Sequence, residues 1–427
     1  MLKPSRTSIA AAIERTALLF AGALACASAV SGANPPVPDG GDQPVRIALG
    51  VSKEPVSVSS TGSWNVYNRN SEHLLFRARP DDRVTVSQRS GRLVAARQGR
   101  GSSSAQSGPL VIRTTTPGSF VTFGGKRYRG ELLINATDSG ILVVNRLSVE
   151  SYLRGVVPLE IGNRQAGEEA AVEAQAVAAR SYSYIHMAEA EGRSFDMYAT
   201  VQDQVYGGVD AEKPIADAAI ASTKGMVLRY AGQIVNTPYH STCGGSTAEV
   251  QEVWWREPNQ PYLQRVSDRI PGSDKFYCDP SPRFRWTVAF DRAQLRATLE
   301  KYLSQYSSAP AGGLGSITAI RIDGRTPSDR VASMTVETSR GSYTVRGNDV
   351  RFVLRPQGAT ILNSTYFTAQ SSAGPSGEVE NLTLNGGGYG HGIGMCQWGA
   401  IGRARAGQDY RTILTTYYPG TTVSRID

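Results

Sequence analysis

Residues 168–191 read EEAAVEAQAVAARSYSYIHMAEAE. The stretch lacks Gly and Pro, is dominated by Ala, and carries Glu168, Glu169 and Glu173 near its start. Ala has the best helix propensity, and carboxylates favour the positive end of a helix, so Glu168–Glu191 is the clearest helix in the chain. Its small side chains let neighbouring backbone pack close. Gln175 and Arg180 stand out on this surface. Long polar side chains among small apolar ones predict a bonded, partly buried pair; the plainer alternative is that Arg180 snorkels to solvent. Upstream, Ser148 can cap a short helix over Val149–Gly155, with Glu150 well placed in its first turn. Val156-Val157-Pro158-Leu159-Glu160 follows and reads as a loop leading into the long helix.

Outward from these helices the pattern is β-like. Short apolar runs at Val45–Val51, Arg83–Val86, Leu110–Thr115 and Phe120–Phe123 are separated by Gly, Ser and Asp clusters, and further strands are expected at Gly130–Asn135 and Gly140–Val144. Residues 285–368 look like a separate insert. Arg285–Phe290 and Ile317–Ile322 read as strands, Asp291–Tyr302 as a helix, and Val331–Thr338 with Ser342–Arg346 as a hairpin. A Ser/Gly-rich break at Gln370–Gly377 follows. The expected class is therefore α+β. A β-rich N-terminal module (residues 45–125) precedes a mixed helix and strand domain (residues 126–427) that holds an α/β insert at about residues 285–368.

The 427 residues are 40% hydrophobic and only 19% charged, which excludes a disordered acidic chain and a coiled coil. The 45 Gly and 22 Pro follow no three-residue period, so collagen is excluded and a turn-rich fold favoured. Beyond residue 40 no apolar run approaches the ~20 residues that a membrane span requires.

Residues 1–33 have the layout of a secretory signal peptide. Lys3, Arg6 and Arg15 precede the apolar Thr16–Val30, and Ser31-Gly32-Ala33 offers small residues at a cleavage site. An uncleaved anchor is the alternative. Residues 34–44 form a Pro/Gly/Asp linker. The expected location is the cell envelope or beyond, at most peripheral to a membrane. Without residues 1–33 the chain keeps 42 basic and 36 acidic residues, a net charge of +6 that suits an anionic surface such as a cell wall. Nucleic acid is not an expected partner, because no dense Lys/Arg block is interleaved with aromatics.

Four segments carry candidate chemistry. Glu160 lies between an apolar run and a buried helix, where desolvation would raise its pKa and keep a proton available. Gln175 and Arg180 form the second. In the third, Tyr239-His240-Ser241-Thr242-Cys243-Gly244-Gly245, three readings of the cysteines stay open. Cys243 and Cys278 can close a disulfide around a loop of about 35 residues, worth roughly 3–4 kcal/mol. His240, Cys243 and Cys278 can ligate zinc. Cys243 as a nucleophile is the weakest, since no second His lies near it in sequence to act as base. The fourth segment, Gly386–Ala400, is Gly-rich but lacks the Lys-Ser/Thr of a phosphate loop. Its Tyr389, His391 and Trp398 suit sugar faces and hydroxyls.

The motifs taken in order resemble the stage II sporulation protein D and amidase-enhancer family. They are Tyr152–Glu160, Glu173–Tyr182, Gln204-Val205-Tyr206-Gly207-Gly208, His240–Gly245, Val253-Trp254, Pro261-Tyr262-Leu263, Gly390–Met395 and Tyr417–Thr421. The resemblance runs from about residue 130 to 423. It implies a peptidoglycan lytic transglycosylase that cuts between N-acetylmuramic acid and N-acetylglucosamine in glycan strands, with Glu160 as catalytic acid and no cofactor. It also implies that Arg180, His240 and His391 line the cleft; Gln175, Tyr389 and Trp398 are added as substrate contacts from their residue chemistry alone. The family often has Met-Pro after its catalytic Glu, where this chain has Ile161-Gly162. Many members have Ser-Gln-Tyr-Gly-Ala near their end, where this chain has Cys396-Gln397-Trp398-Gly399-Ala400. A wall-binding enhancer of a separate amidase, without turnover of its own, is the competing expectation. A zinc hydrolase using His240, Cys243 and Cys278 is the third.

Overall fold

The computed structural model describes residues 44–359 and 361–426. The expected signal peptide and nearly all of the linker lie outside the described residues. Helix and strand are mixed, as the α+β class requires. No helix among the described residues is long and apolar enough to cross a membrane.

Two sheets make the N-terminal half. The seven-stranded sheet runs, edge to edge, Met197–Tyr198, Pro44–Ser52, Gly140–Ser148, Glu131–Thr137, Leu110–Thr114, Trp64–Asn68 and Leu74–Ala78. The six-stranded sheet contains Val56–Ser60, Val84–Arg89 and Arg92–Arg97. Their inner faces share one core that includes Val58, Trp64, Val84, Val86, Ile112, Leu132 and Ile134. Leu133, Val111 and Val144 point the other way and build a smaller core under Phe195. Burial on both faces explains the unbroken apolar run Leu132-Leu133-Ile134. Pairing of Glu131–Thr137 with Leu110–Thr114 carries the sheet across residue 125, where the sequence suggests the module ends.

Helix α1 (Val149–Glu160) grows directly out of the strand Gly140–Ser148. Ser148 caps it by accepting from the Ser151 N–H at 3.3 Å. It does not stop at Gly155 but continues through Pro158 to Glu160. Val156, Val157 and Pro158 are all buried, so packing outweighs the one backbone bond that proline removes. Helix α2 (Glu169–Glu189) is buried on nearly every side. Gly155 makes room for what lies across it: a Cβ there would stand 2.5 Å from the Tyr206 ring.

The insert has its own core, built from Leu295, Leu299, Val331, Val336, Leu382 and Leu384 among others. Asp291 opens its helix, Arg292–Tyr306, through a reciprocal capping box with Gln294. The strand Arg285–Asp291 pairs with Val379–Gly387, which pairs in turn with Phe367–Ala373. The Ser/Gly-rich stretch at residues 370–377 is thus half of an exposed strand and its turn, and the insert's sheet reaches Gly387.

Candidate active site

Short pairings bring the distant motifs together. Tyr239–His240 runs parallel to Met395–Cys396, Thr242 bridges Tyr389, and Ala248 bridges Ile393. Close approach requires glycine here. Gly394 has φ +69°, and a Cβ on it would lie 2.0 Å from the Pro238 carbonyl oxygen.

Glu160 is the last residue of α1 and not part of a loop, as the sequence suggests. Its Oε1 accepts the Val205 N–H at 2.8 Å. That amide is aimed by the Gly207 N–H, which donates to the Gly155 carbonyl at 3.0 Å. No Lys or Arg among the described residues pairs with Glu160. Burial pushes its pKa up from the ordinary 4.5 to about 7, and the single backbone hydrogen bond lowers it only in part.

Three phenols stand in the electrostatic field of this carboxyl. Tyr152, Tyr182 and Tyr239 are all held protonated, first by burial and then by nearby carboxylates that include Glu160. Gln204 fixes them. Its Oε1 accepts from the Tyr152 and Ser183 hydroxyls, each at 3.1 Å, and its Nε2 donates to the Tyr239 hydroxyl at 3.0 Å. Asp203, the other carboxylate nearby, is occupied by the Tyr198 N–H at 2.7 Å and the Tyr182 hydroxyl at 3.4 Å. None of these partners was assigned a role from sequence. The motif Gln204-Val205-Tyr206-Gly207-Gly208 was the available signal, since adjacent glycines after polar and aromatic residues mark backbone brought up against something.

The histidines are wired to backbone. His391 Nε2–H donates to the Tyr239 carbonyl at 2.8 Å, and its Nδ1 accepts from the Ile393 N–H at 3.1 Å. His240 Nδ1–H donates to the Ile393 carbonyl at 3.1 Å, while its buried Nε2 has no partner. The rings lie 5.4 Å apart, and burial lowers both pKa values, that of His391 far below 6.5. His391 is therefore a neutral brace with both nitrogens engaged.

Arg180 and Gln175 do not pair with each other. Arg180 is fully buried and makes a two-pronged ion pair with Glu150, at 2.8 Å for both contacts, with a further bond to the Met226 carbonyl. It thereby locks α1 to α2 and leaves Glu160 without a cation. Gln175 accepts from Gln397 Nε2 at 3.1 Å, beside Trp398. The Trp398 ring carries the Arg164 guanidinium at 5.6 Å, and the exposed Tyr389 ring carries that of Arg283 at 5.4 Å.

The cysteines depart from both expected arrangements. Cys243 and Cys278 are not joined in a disulfide, their sulfurs being 3.5 Å apart. The group that converges on them holds Asp268 and Cys396, not His240. His240 is turned to Ile393, whereas Cys396, at the start of the helix Gln397–Arg405, is carried in by the parallel pairing of the two motifs.

Residues 137–230 match the family model described as stage II sporulation protein, and residues 270–394 match a domain family of unknown function. An uncharacterized protein of Brachyspira hyodysenteriae is 28% identical over 89% of this chain and 92% of its own. An amidase enhancer of Bacillus subtilis is 32% identical over 64% of this chain, but the match spans only 40% of that protein. Stage II sporulation protein D of Bacillus subtilis is 30% identical over 66% of this chain and 76% of its own length. The ordered motifs, the family-model match and this last relative together place the chain in the stage II sporulation protein D family.

Proposed function

We propose that the protein is an exported lytic transglycosylase that cleaves peptidoglycan glycan strands with Glu160 as its single acid and base. The observation that carries this reading is the state of Glu160. It is desolvated, free of any cation, held by one backbone N–H, and poised with a pKa of about 7. A carboxylic acid in that state can donate a proton and then take one back near neutral pH.

The chemistry needs one carboxylate. Protonated Glu160 gives its proton to the glycosidic oxygen as the C1–O bond breaks. The resulting carboxylate then removes the proton from the muramoyl C6 hydroxyl, whose oxygen closes on C1. The nucleophile belongs to the substrate, so proximity replaces the second carboxylate of an ordinary glycosidase. The engagement of Asp203 by Tyr198 and Tyr182 supports a one-carboxylate scheme. Tyr152 and Tyr239, clamped through Gln204, and Tyr182, bonded to Asp203, would keep the carboxyl in place and poorly hydrated.

The test uses the purified chain and its Glu160→Gln variant on peptide-free glycan strands, read by mass spectrometry. Anhydromuramoyl ends from the parent chain and none from the variant are expected. Reducing ends would mean attack by water instead. A second reading rests on the relative named as an amidase enhancer: a wall-binding partner of a separate amidase. Strand binding by both chains with no product from either would favour that reading.

A further inference from the structure

We infer that Cys243, Asp268, Cys278 and Cys396 form a buried, four-coordinate zinc site that fastens the two Gly-rich motif loops together. The inference is independent of the reaction proposed for Glu160. All four residues are buried, and one ligand atom from each lies within 4.8 Å of the other three. The Cys243 and Cys278 sulfurs are 3.5 Å apart, and Cys243 Sγ lies 3.7 Å from Asp268 Oδ2. Zinc bonds of about 2.3 Å to sulfur and 2.0–2.2 Å to oxygen set tetrahedral edges of roughly 3.5–3.8 Å. A disulfide would need sulfurs at about 2.05 Å and would leave the third thiol unexplained.

The surroundings are those of metal-bound thiolates. The Gly245 N–H donates to Cys243 Sγ at 3.4 Å, and the Cys243 and Gly399 N–H groups donate to Cys396 Sγ at 3.2 and 3.3 Å. Asp268 turns Oδ2 towards the sulfurs, because its Oδ1 is held by the Tyr417 hydroxyl at 2.6 Å and Arg403 Nη2 at 3.3 Å. Outer partners of this kind orient a ligating carboxylate. Three thiolates and one carboxylate around Zn²⁺ leave two negative charges. Arg403 stands on Asp268, and the buried Arg330 is bonded to the Cys243 carbonyl at 3.1 Å.

Four protein ligands without an open position make the site structural, not catalytic. Binding Zn²⁺ displaces three thiol protons, so assembly is coupled to folding and to pH. Gly399 belongs to the design, since a Cβ there would lie 2.0 Å from the Tyr417 hydroxyl and 2.3 Å from Asp268 Oδ2.

The test is elemental analysis of the full chain purified without chelator, together with alkylation mapped by peptide mass spectrometry. Zinc close to one equivalent is expected, with Cys243, Cys278 and Cys396 unreactive until chelator and denaturant are both present. Cys278→Ser and Cys396→Ser should lower bound zinc at least tenfold. If those variants fail to fold, Co²⁺ loaded into the parent chain should give thiolate-to-cobalt charge-transfer absorption and intense tetrahedral ligand-field bands. A parent chain that takes up neither ion overturns the inference, whether it holds a Cys243–Cys278 disulfide or three free thiols.

Discussion

Replacing Glu160 with Gln should stabilise the fold at alkaline pH and leave it unchanged in acid. The amide keeps an oxygen to accept the Val205 N–H, so the substitution removes the charge while keeping the 2.8 Å contact. Glu160 is raised in the fold from 4.5 to about 7. Below pH 4.5 both folded and unfolded chains carry the proton, and Glu160 costs nothing. As pH rises from there through 7, the unfolded chain releases its proton first, and stability is lost. At about 1.4 kcal/mol for each pKa unit, the full loss is about 3 kcal/mol. Gln carries no such dependence. Other ionisable groups also contribute to the parent's own pH trend. The difference between parent and variant isolates Glu160. Urea unfolding at about pH 4.5 and pH 8 measures it through the midpoint at constant slope. Equal stabilities in acid and a variant ahead by about 3 kcal/mol at pH 8 are expected. A difference that stays flat with pH would refute the desolvated acid, and with it the physical basis for proton donation.

Arg180→Ala should destabilise the chain by about 3 kcal/mol or more, because it strands Glu150 without its partner. The pH profile of any activity should keep its shape, since Arg180 does not touch Glu160; calorimetry and a pH–rate series check both. Gly155→Ala should drive the Tyr206 ring away from α1, loosen the Val205 contact to Glu160, and cost about 1–3 kcal/mol in urea unfolding with loss of kcat. His391 should hold its proton on Nε2 and stay neutral well below pH 6.5, which ¹⁵N NMR of the ring reads directly.

The long Ala-rich helix was legible to within two residues, because composition and the absence of breakers act locally. The end of α1 was not. Gly155 looks like a stop signal, yet it is glycine because Tyr206 presses on the helix there, a contact 51 positions away that no local pattern reports. The strands Val56–Ser60 and Trp64–Asn68 escaped notice because Ser, Asn and Tyr alternate with their buried residues and dilute the β signal. At the site, the setting of Glu160 between apolar and buried segments made it one candidate among several, and only the resemblance singled it out. Its clamp was not legible, since Gln204 gains its meaning only from three hydroxyls that other elements deliver. The third thiol and the carboxylate beside Cys243 and Cys278 were hidden for the same reason. Asp268 and Cys396 lie far apart in sequence and meet only through the pairing of the two motif loops.

That pairing also sets an order of events. Tyr239 cannot receive the His391 ring, nor Gln175 the Gln397 amide, until residues near 400 exist, and Met226–Tyr230, already paired with Gln233–Ile234, lacks its second neighbour until Thr422–Arg425 is made. A chain growing at about 5–20 residues per second completes its N-terminal sheets first and keeps Glu160 in a half-built wall for roughly 10–50 seconds afterwards. Contacts of such long range form late and slowly. The pairing of the two motif loops is therefore among the last parts of the site to assemble.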